Sequence, residues 1–350
     1  MAGVQSFFKW LVKYVLAWLL APLYMLSSTF MFFLRVIRSP MAVLSYRVRE
    51  TPPAVLQDPA LGTHEYVRLG TAKIRLHYVA AGDRSKPLMV CLHGFPEFWY
   101  SWRHQLKAFG KDYRVVAVDM RGFGDSDKPP AVEEYKVDKM AGDIIDLIEA
   151  LGYGSCTLVG NDGGAIIAGR VAMERPDLVT KLVAMNGPVS LSVVRRYARS
   201  RPKQRLKFWY NFLAQLPYLP EMCLGFNDLK TLDVVFRGKK MGCRNKDAFT
   251  DEDLEAYKYA SSQPGALTGV VNFYRANGMR PPKEPTTGIR CPSLLIWGDQ
   301  DGVLDTDLAR EMAESVQGMK VEIIEGASHF VQQDVPDTVN QLMIDFLNQS

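Results

Sequence analysis

The sequence predicts an α/β fold in which a mostly parallel sheet is covered by helices and interrupted by a helical insertion. Three observations predict it. Short β-branched runs alternate with helix-like stretches along most of the chain. The later runs are apolar on successive residues, as strands buried on both faces must be. Between Pro188 and about Pro282 the strand signal stops, and segments such as DEDLEAYKYA and ALTGVVNFYRAN show helical spacing instead. With 350 residues, 47% of them apolar and 23% charged, the chain has ample core material and excludes a disordered, collagen-like or disulfide-scaffold protein.

The first element in order is N-terminal. From Tyr14 to Leu34 the chain runs 21 residues without a charged side chain. As a helix this spans ~31 Å, about one hydrocarbon core. A cleaved signal peptide has a shorter apolar stretch and a small-residue exit, whereas this one ends in Phe-Phe-Leu-Arg. A membrane anchor over residues 1–38 is therefore expected. Lys9 and Lys13 precede the span, while Arg35, Arg38, Arg47 and Arg49 follow it, which leans toward a cytosolic body. Residues 39–63, with Pro40, Pro52, Pro53 and Pro59, lack any period and read as a tether.

The folded body is expected from His64. HEYVRL and KIRLHYV form a candidate hairpin, and PLMVCLH, YRVVAVDM, SCTLVGN and KLVAMN follow with helix-like stretches between them. This makes 64–187 a first core segment, 188–282 a helical cap, and 283–350, with PSLLIWG and KVEIIEG, a second core segment. Net charge is only +4, from 42 basic and 38 acidic residues, so no global field points to nucleic acid. The five cysteines show no paired spacing and read as reduced thiols.

Chemistry enters at strand ends. SCTLV leads into Gly160-Asn161-Asp162-Gly163-Gly164 and then a helix-like run. Strand, G-x-D-x-G, helix is the pattern of a nucleophile elbow, with Asp in the nucleophile place; read alone, the same residues also suit a plain turn. Downstream, PSLLIWG ends in Asp299-Gln300-Asp301 and KVEIIEG ends in Ala327-Ser328-His329, both at carboxyl ends of strands, where open α/β sheets bind ligands. The order nucleophile, acid, histidine is that of the α/β-hydrolases. Upstream, His93-Gly94-Phe95-Pro96 ends an early strand, so the N–H groups of Phe95 and Gly163 are candidate oxyanion donors. His64, His77, His93 and His104 read as surface, packing or turn groups. No dinucleotide fingerprint, phosphate loop or H-E-x-x-H helix occurs, so neither a cofactor nor a metal is expected.

These residues resemble the α/β-hydrolase epoxide hydrolases, through HGFPEFWYSW at 93–102, DMRGFGDSDKP at 119–129, the elbow at Asp162, WGDQD at 297–301 and GASHF at 326–330. The resemblance covers roughly residues 60–348 and is strongest to the membrane-anchored branch. It implies two cap tyrosines, matched by Tyr210 in Tyr210-Asn211-Phe212-Leu213-Ala214-Gln215-Leu216-Pro217 and by Tyr274 in Asn272-Phe273-Tyr274-Arg275. It also favours Asp301 over Asp299 as the acid that orients His329, and implies a pocket lined by Phe95, Trp99 and Gly163. The expected substrate is a small lipophilic epoxide, such as one derived from a fatty acid. The expected location is an intracellular membrane, the endoplasmic reticulum.

The residue types suit that reaction. An epoxide is attacked at an sp³ carbon, so serine would end as a stable ether, whereas a carboxylate gives an ester that water can cleave. Ring opening releases an alkoxide that needs a proton, and phenols with a reference pKa of ~10 supply it while remaining neutral. Two features depart from the family pattern. Asn161 and Gly163 flank the nucleophile where relatives carry His and Trp, and Ala214 replaces an aromatic, which predicts a roomier pocket floor. Two alternatives are a haloalkane dehalogenase-like hydrolase, for which Phe95 and Gly163 lack the halide-holding side-chain donors, and a weakened membrane-bound lipid-binding relative. One local charge cluster remains: Arg195, Arg196, Arg199, Arg201, Lys203, Arg205 and Lys207 fall within 13 residues without an acid, and read as a solvated cap surface or a contact for anionic headgroups.

Overall fold

The computed structural model describes residues 34, 37, 38, 45–278, 283–285 and 287–349. The span read as a membrane anchor and the first part of the tether lie outside the described residues, apart from Leu34, Ile37 and Arg38. Among the described residues no helix is long and apolar enough to cross a membrane.

All eight strand-like runs form strands of one sheet: β1 Thr63–Arg68, β2 Arg75–Ala81, β3 Leu88–Leu92, β4 Arg114–Asp119, β5 Cys156–Asn161, β6 Val179–Met185, β7 Ser293–Gly298 and β8 Met319–Ile324. Their spatial order is β1-β2-β4-β3-β5-β6-β7-β8. β1 pairs antiparallel with β2, and β2 antiparallel with β4, while every other neighbour is parallel. Alternate side chains of the central strands enter two separate apolar layers. Val116 and Val118 of β4 join one layer, Val115 and Ala117 the other, which is why these runs lack polar alternation. Each fully buried valine contributes roughly 1.5–3 kcal/mol. β8 departs from the expectation that the later runs are buried on both faces: it is the last strand of the sheet, and Ile323 is 39% exposed.

Helices α1 Arg103–Phe109, α2 Val137–Ala150 and α3 Gly163–Glu174 connect the first strands. The insertion follows as α4 Leu191–Ser200, α5 Pro202–Lys207, α6 Trp209–Ala214, α7 within Leu219–Arg237, α8 Asp251–Ser262 and α9 Ala266–Asn277. α10 Asp307–Ser315, α11 Val331–Asp334 and α12 Pro336–Leu347 complete the chain. From β3 the chain moves to β4 on one side and then to β5 on the other. That reversal opens a crevice beyond the carboxyl ends of β3 and β5, where α/β sheets bind ligands.

From residue 45 the segment read as a tether is docked against the body. It makes two 3-10 turns, Ala54–Gln57 and Pro59–Leu61, and buries Leu56 and Leu61. Arg49, only 9% exposed, reaches Asp228 and Glu255 at 3.0 Å each. Asp228 lies in a bend of α7 where Asn227, Asp228 and Leu229 all have positive φ, and it also accepts the Arg47 N–H at 3.0 Å. Single turns held by side-chain caps, such as Asp58 accepting from the Ala60 N–H, leave no sequence period. His77 and His64 are likewise more than packing groups: His77 is fully buried, 2.7 Å from Asp119, and its other ring nitrogen faces His64 at 2.9 Å.

Candidate active site

β5 ends at Asn161 and α3 begins at Gly163, so Asp162 occupies the turn itself, with φ 45° and ψ −113°. A non-glycine residue with positive φ is strained, and the surrounding glycines make this one possible. A Cβ at Gly164 would lie 2.0 Å from the Leu92 carbonyl oxygen, and one at Gly94 would lie 2.7 Å from Asp162 Cβ. The elbow can form only where the strand and the two loops touch backbone to backbone. Asp162 Oδ2 accepts the Phe95 N–H at 3.2 Å, and the carboxylate also accepts the Gly163 N–H at the start of α3. Both predicted oxyanion donors therefore meet the same group.

His329 follows β8 and precedes α11. Its Nδ1 lies 2.8 Å from Asp301 Oδ2, and its Nε2 lies 3.8 Å from Asp162 Oδ1, too far for a hydrogen bond but on the side of that carboxylate. Asp301 also accepts from Asn186 Nδ2 at 2.7 Å and from the N–H groups of Val303 and Leu304 at 2.7 and 3.0 Å. Burial alone would raise its pKa, but the His329 charge and these hydrogen bonds hold it below the usual carboxylate range. Asp299 instead accepts the Gly326 N–H at 2.7 Å. Geometry thus selects Asp301 and fixes the His329 tautomer with Nε2 toward Asp162. Burial opposes a charge on His329, yet Asp301, Asp162 and Glu97 together push its pKa up to about 9. Asp162 itself is raised from its ordinary value by burial, with His329 and the two N–H donors opposing.

Two contributors escaped the sequence reading. Glu97, 2% exposed, accepts the Gly94 N–H at 3.0 Å and the side-chain amides of Gln332 and Gln333 at 3.0 and 2.7 Å. Burial pushes its pKa up to about 7, and its charge bears on His329. It stands directly after His93-Gly94-Phe95-Pro96, so the motif itself was the signal. Asn186 closes the KLVAMN run, with φ 38°, and its Oδ1 accepts the Gly298 N–H at 2.9 Å while its amide holds Asp301. Its place at a strand's carboxyl end was the available clue.

Tyr210 of α6 and Tyr274 of α9 meet with ring centroids 5.3 Å apart, and Tyr274 also packs edge-on against Phe95 at 5.4 Å. The motif residues around them staple the two helices. Gln215 Nε2 donates to the Tyr274 carbonyl at 3.3 Å, and Arg275 donates to the carbonyls of Ala214 and Leu216 at 2.9 and 3.0 Å. Burial, reinforced by the Asp162 charge, raises both phenols well above their ordinary pKa and keeps them protonated. Both tyrosines line the same cleft as Asp162 and Gly163, with a volume of about 290 Å³.

Trp99 corrects the predicted pocket lining. It is 3% exposed and its ring packs edge-on against His64 and Tyr100, while its backbone N–H donates to Asp119 Oδ1 at 2.8 Å. It braces the loop from beneath because the 3-10 turn Trp99–Trp102 aims it into the core. The Phe95 ring borders an adjoining apolar hollow with Leu224 and Leu267. Gly163 does line the cleft, and a Cβ there would make ordinary contact with Phe273 Cζ at 3.7 Å. An indole at this position has to enter the cleft. Gly163→Trp is therefore expected to fold, to keep turnover of small epoxides and to lose bulky ones; unchanged selectivity across a size series would show that this position does not set the pocket.

The sequence profile described as alpha/beta hydrolase fold matches residues 87–336, and the chain belongs to that family. Within it, the chain belongs with the epoxide hydrolases. Epoxide hydrolase 4 from Homo sapiens is 41% identical over 351 residues, covering 100% of this chain and 95% of its own length. Epoxide hydrolase 3 from Xenopus tropicalis is 41% identical, covering 99% of this chain and 93% of its own. Among solved structures, a point mutant of an epoxide hydrolase from Bacillus megaterium, complexed with its diol product, is similar with a TM-score of 0.74 and 31% identity, over 81% of this chain and 100% of that one.

Proposed function

We propose that this chain hydrolyses lipophilic epoxides, including those derived from fatty acids, to vicinal diols through an ester on Asp162. One observation carries the reading: a carboxylate on a strained elbow has one oxygen in a backbone N–H cradle and the other facing His329 Nε2, in a cleft roofed by two neutral phenols. In the first step Asp162 Oδ1 attacks a ring carbon, the C–O bond breaks, and the departing oxygen takes a proton from Tyr210 or Tyr274. Esterification removes the Asp162 charge, one of the charges that keep His329 protonated, so the imidazole becomes a base at the point where one is needed. His329 Nε2 then takes a proton from water, which adds to Asp162 Cγ. Oδ2 carries the resulting negative charge against the N–H groups of Phe95 and Gly163. Collapse breaks the Cγ–Oδ1 bond and the diol oxygen takes the proton from His329; the carboxylic acid left on Asp162 returns its proton to the tyrosine that gave one up, which restores both carboxylate and phenol.

The test is isotopic. With enzyme in excess over epoxide in heavy-oxygen water, one turnover should leave the diol unlabelled and place the heavy oxygen on Asp162, because the diol's new oxygen comes from the carboxylate. Label in the diol after that single turnover would overturn the ester route. Release of halide from haloalkanes with epoxides untouched would favour the dehalogenase reading instead.

The same reading extends to supply. Residues 14–34 anchor the chain in an intracellular membrane, the endoplasmic reticulum, with the catalytic body on the cytosolic face. Support comes from the uncharged 21-residue span, the greater number of basic residues after it, and the basic cap segment 195–207, among whose exposed members Arg196, Arg201 and Lys203 suit an anionic leaflet. In sealed microsomes protease should digest the catalytic body without detergent. Protection of the body would place it in the lumen.

A further inference from the structure

The fold divides the basic run into two groups. Leu191, Val194, Arg195, Ala198 and Arg199 of α4 follow one another at helical spacing and all line the cleft that ends at Asp162. Arg205 of α5 joins them on the same lining. Arg196, Arg201, Lys203 and Lys207 do not line the cleft; Lys207 pairs with Asp305 at 2.8 Å, and Arg201 lies over the Tyr197 ring at 5.6 Å. One helix face thus presents an apolar row edged by two guanidinium groups, and a third comes from the next helix.

The cleft is chemically graded as a result. Asp162 is the only carboxylate among the described lining residues. Ile166, Leu191, Val194, Phe208 and Phe273 supply apolar wall, and Arg195, Arg199 and Arg205 stand on exposed positions of the cap. Three permanent cations therefore face one anion across a greasy channel. A neutral hydrocarbon epoxide has no use for them, whereas a lipophilic molecule with an anionic end satisfies both the wall and the rim. Guanidinium groups suit this task, since they stay charged and bind carboxylate or phosphate oxygens bidentately.

We propose that Arg195, Arg199 and Arg205 bind the anionic end of the substrate, so that the enzyme selects lipophilic epoxides bearing a carboxylate or phosphate over neutral ones of equal length. The proposal rests on the epoxide-hydrolase reading and assigns the specificity of that same site. The apolar chain then lies along the α4 wall formed by Leu191 and Val194, in the same cleft as Asp162.

The test compares kcat/KM for three probes: a long-chain fatty acid with a mid-chain epoxide, its methyl ester, and the phosphate monoester of the matching epoxy alcohol. The wild type should prefer an anion to the ester by about 10-fold or more at low salt, chiefly through KM, and the preference should shrink as salt is raised. Preference for the carboxylate over the phosphate identifies free acids as the source, and the reverse identifies phosphorylated lipid headgroups. Combined Arg195→Gln, Arg199→Gln and Arg205→Gln should bring the anion-to-ester ratio near one. Combined Arg196→Gln, Arg201→Gln and Lys203→Gln removes the same charge outside the cleft and should preserve the ratio in vesicle-free buffer. A wild type without anion preference, or equal loss of the ratio in both triple variants, overturns the proposal. A wild type that turns over none of the three probes, nor small neutral epoxides, instead defeats the underlying epoxide-hydrolase reading.

Discussion

His329→Gln should open epoxides and then stall. Asp162 keeps its two N–H donors in this variant, so alkylation proceeds wherever the carboxylate is ionised, while no group remains to take the proton from water. Loss of a general base costs about 10²–10⁴-fold, so the ester should accumulate and be visible as a stable mass increase on the peptide carrying Asp162. Without the neighbouring imidazolium the Asp162 carboxyl rises further, because that charge opposes the effect of burial. Alkylation in the variant should therefore fall away at a higher pH than in the wild type. In the wild type the sign for the second step is opposite to that of a structural ion pair. Hydrolysis needs neutral His329, so its rate should fall as pH drops through the imidazole pKa of the esterified enzyme. That value lies below the free enzyme's value of about 9, since the Asp162 charge is gone. Rapid turnover by His329→Gln, with no ester detected in stopped flow or by mass, would remove His329 from the mechanism.

The tyrosine pair should give the second large effect. The rings touch, line one cleft, and stay protonated through burial, so each is placed to donate to the opening oxygen. Tyr210→Phe or Tyr274→Phe alone should slow alkylation, and the double variant should slow it by about 10²–10⁴-fold while substrate binding changes far less. Because Gln215 and Arg275 staple α6 to α9 through backbone carbonyls, the Phe variants should keep the cap in place. Wild-type alkylation rates in all three variants would show that another group supplies the proton.

Particular residues show how far sequence alone reaches. The central strands were legible because buried strands leave no room for polar alternation, and Asp162 was legible because it follows such a run directly, whereas His329 stands in the loop after the partly exposed β8. The cap helices at 251–262 and 266–277 carried their own period. Burial at the last edge was not legible, since KVEIIEG does not reveal that it has only one neighbouring strand. Trp99 was misplaced for a related reason: a motif places a residue in a loop, but the turn that follows decides which side its indole enters. Asp299 and Asp301 lie two residues apart, and only Asn186, brought over at the end of β6, together with the N–H groups of Val303 and Leu304, distinguishes them. Glu97 became a group of consequence when Gln332 and Gln333 arrived from more than two hundred residues away.

By itself the sequence determined the α/β class and the helical insertion, because each is written in local period, and it named Asp162, Asp301, His329 and the two tyrosines as candidates by the residue types the proposed chemistry demands. The tertiary structure decided which acid orients His329, where Trp99 goes, that the chain from residue 45 clamps the cap, and which of seven neighbouring cations face the cleft. These outcomes depend on contacts between segments distant in sequence. Their partners are selected by the order of the strands and the rotation of each helix about its own axis, quantities that no short window of residues contains.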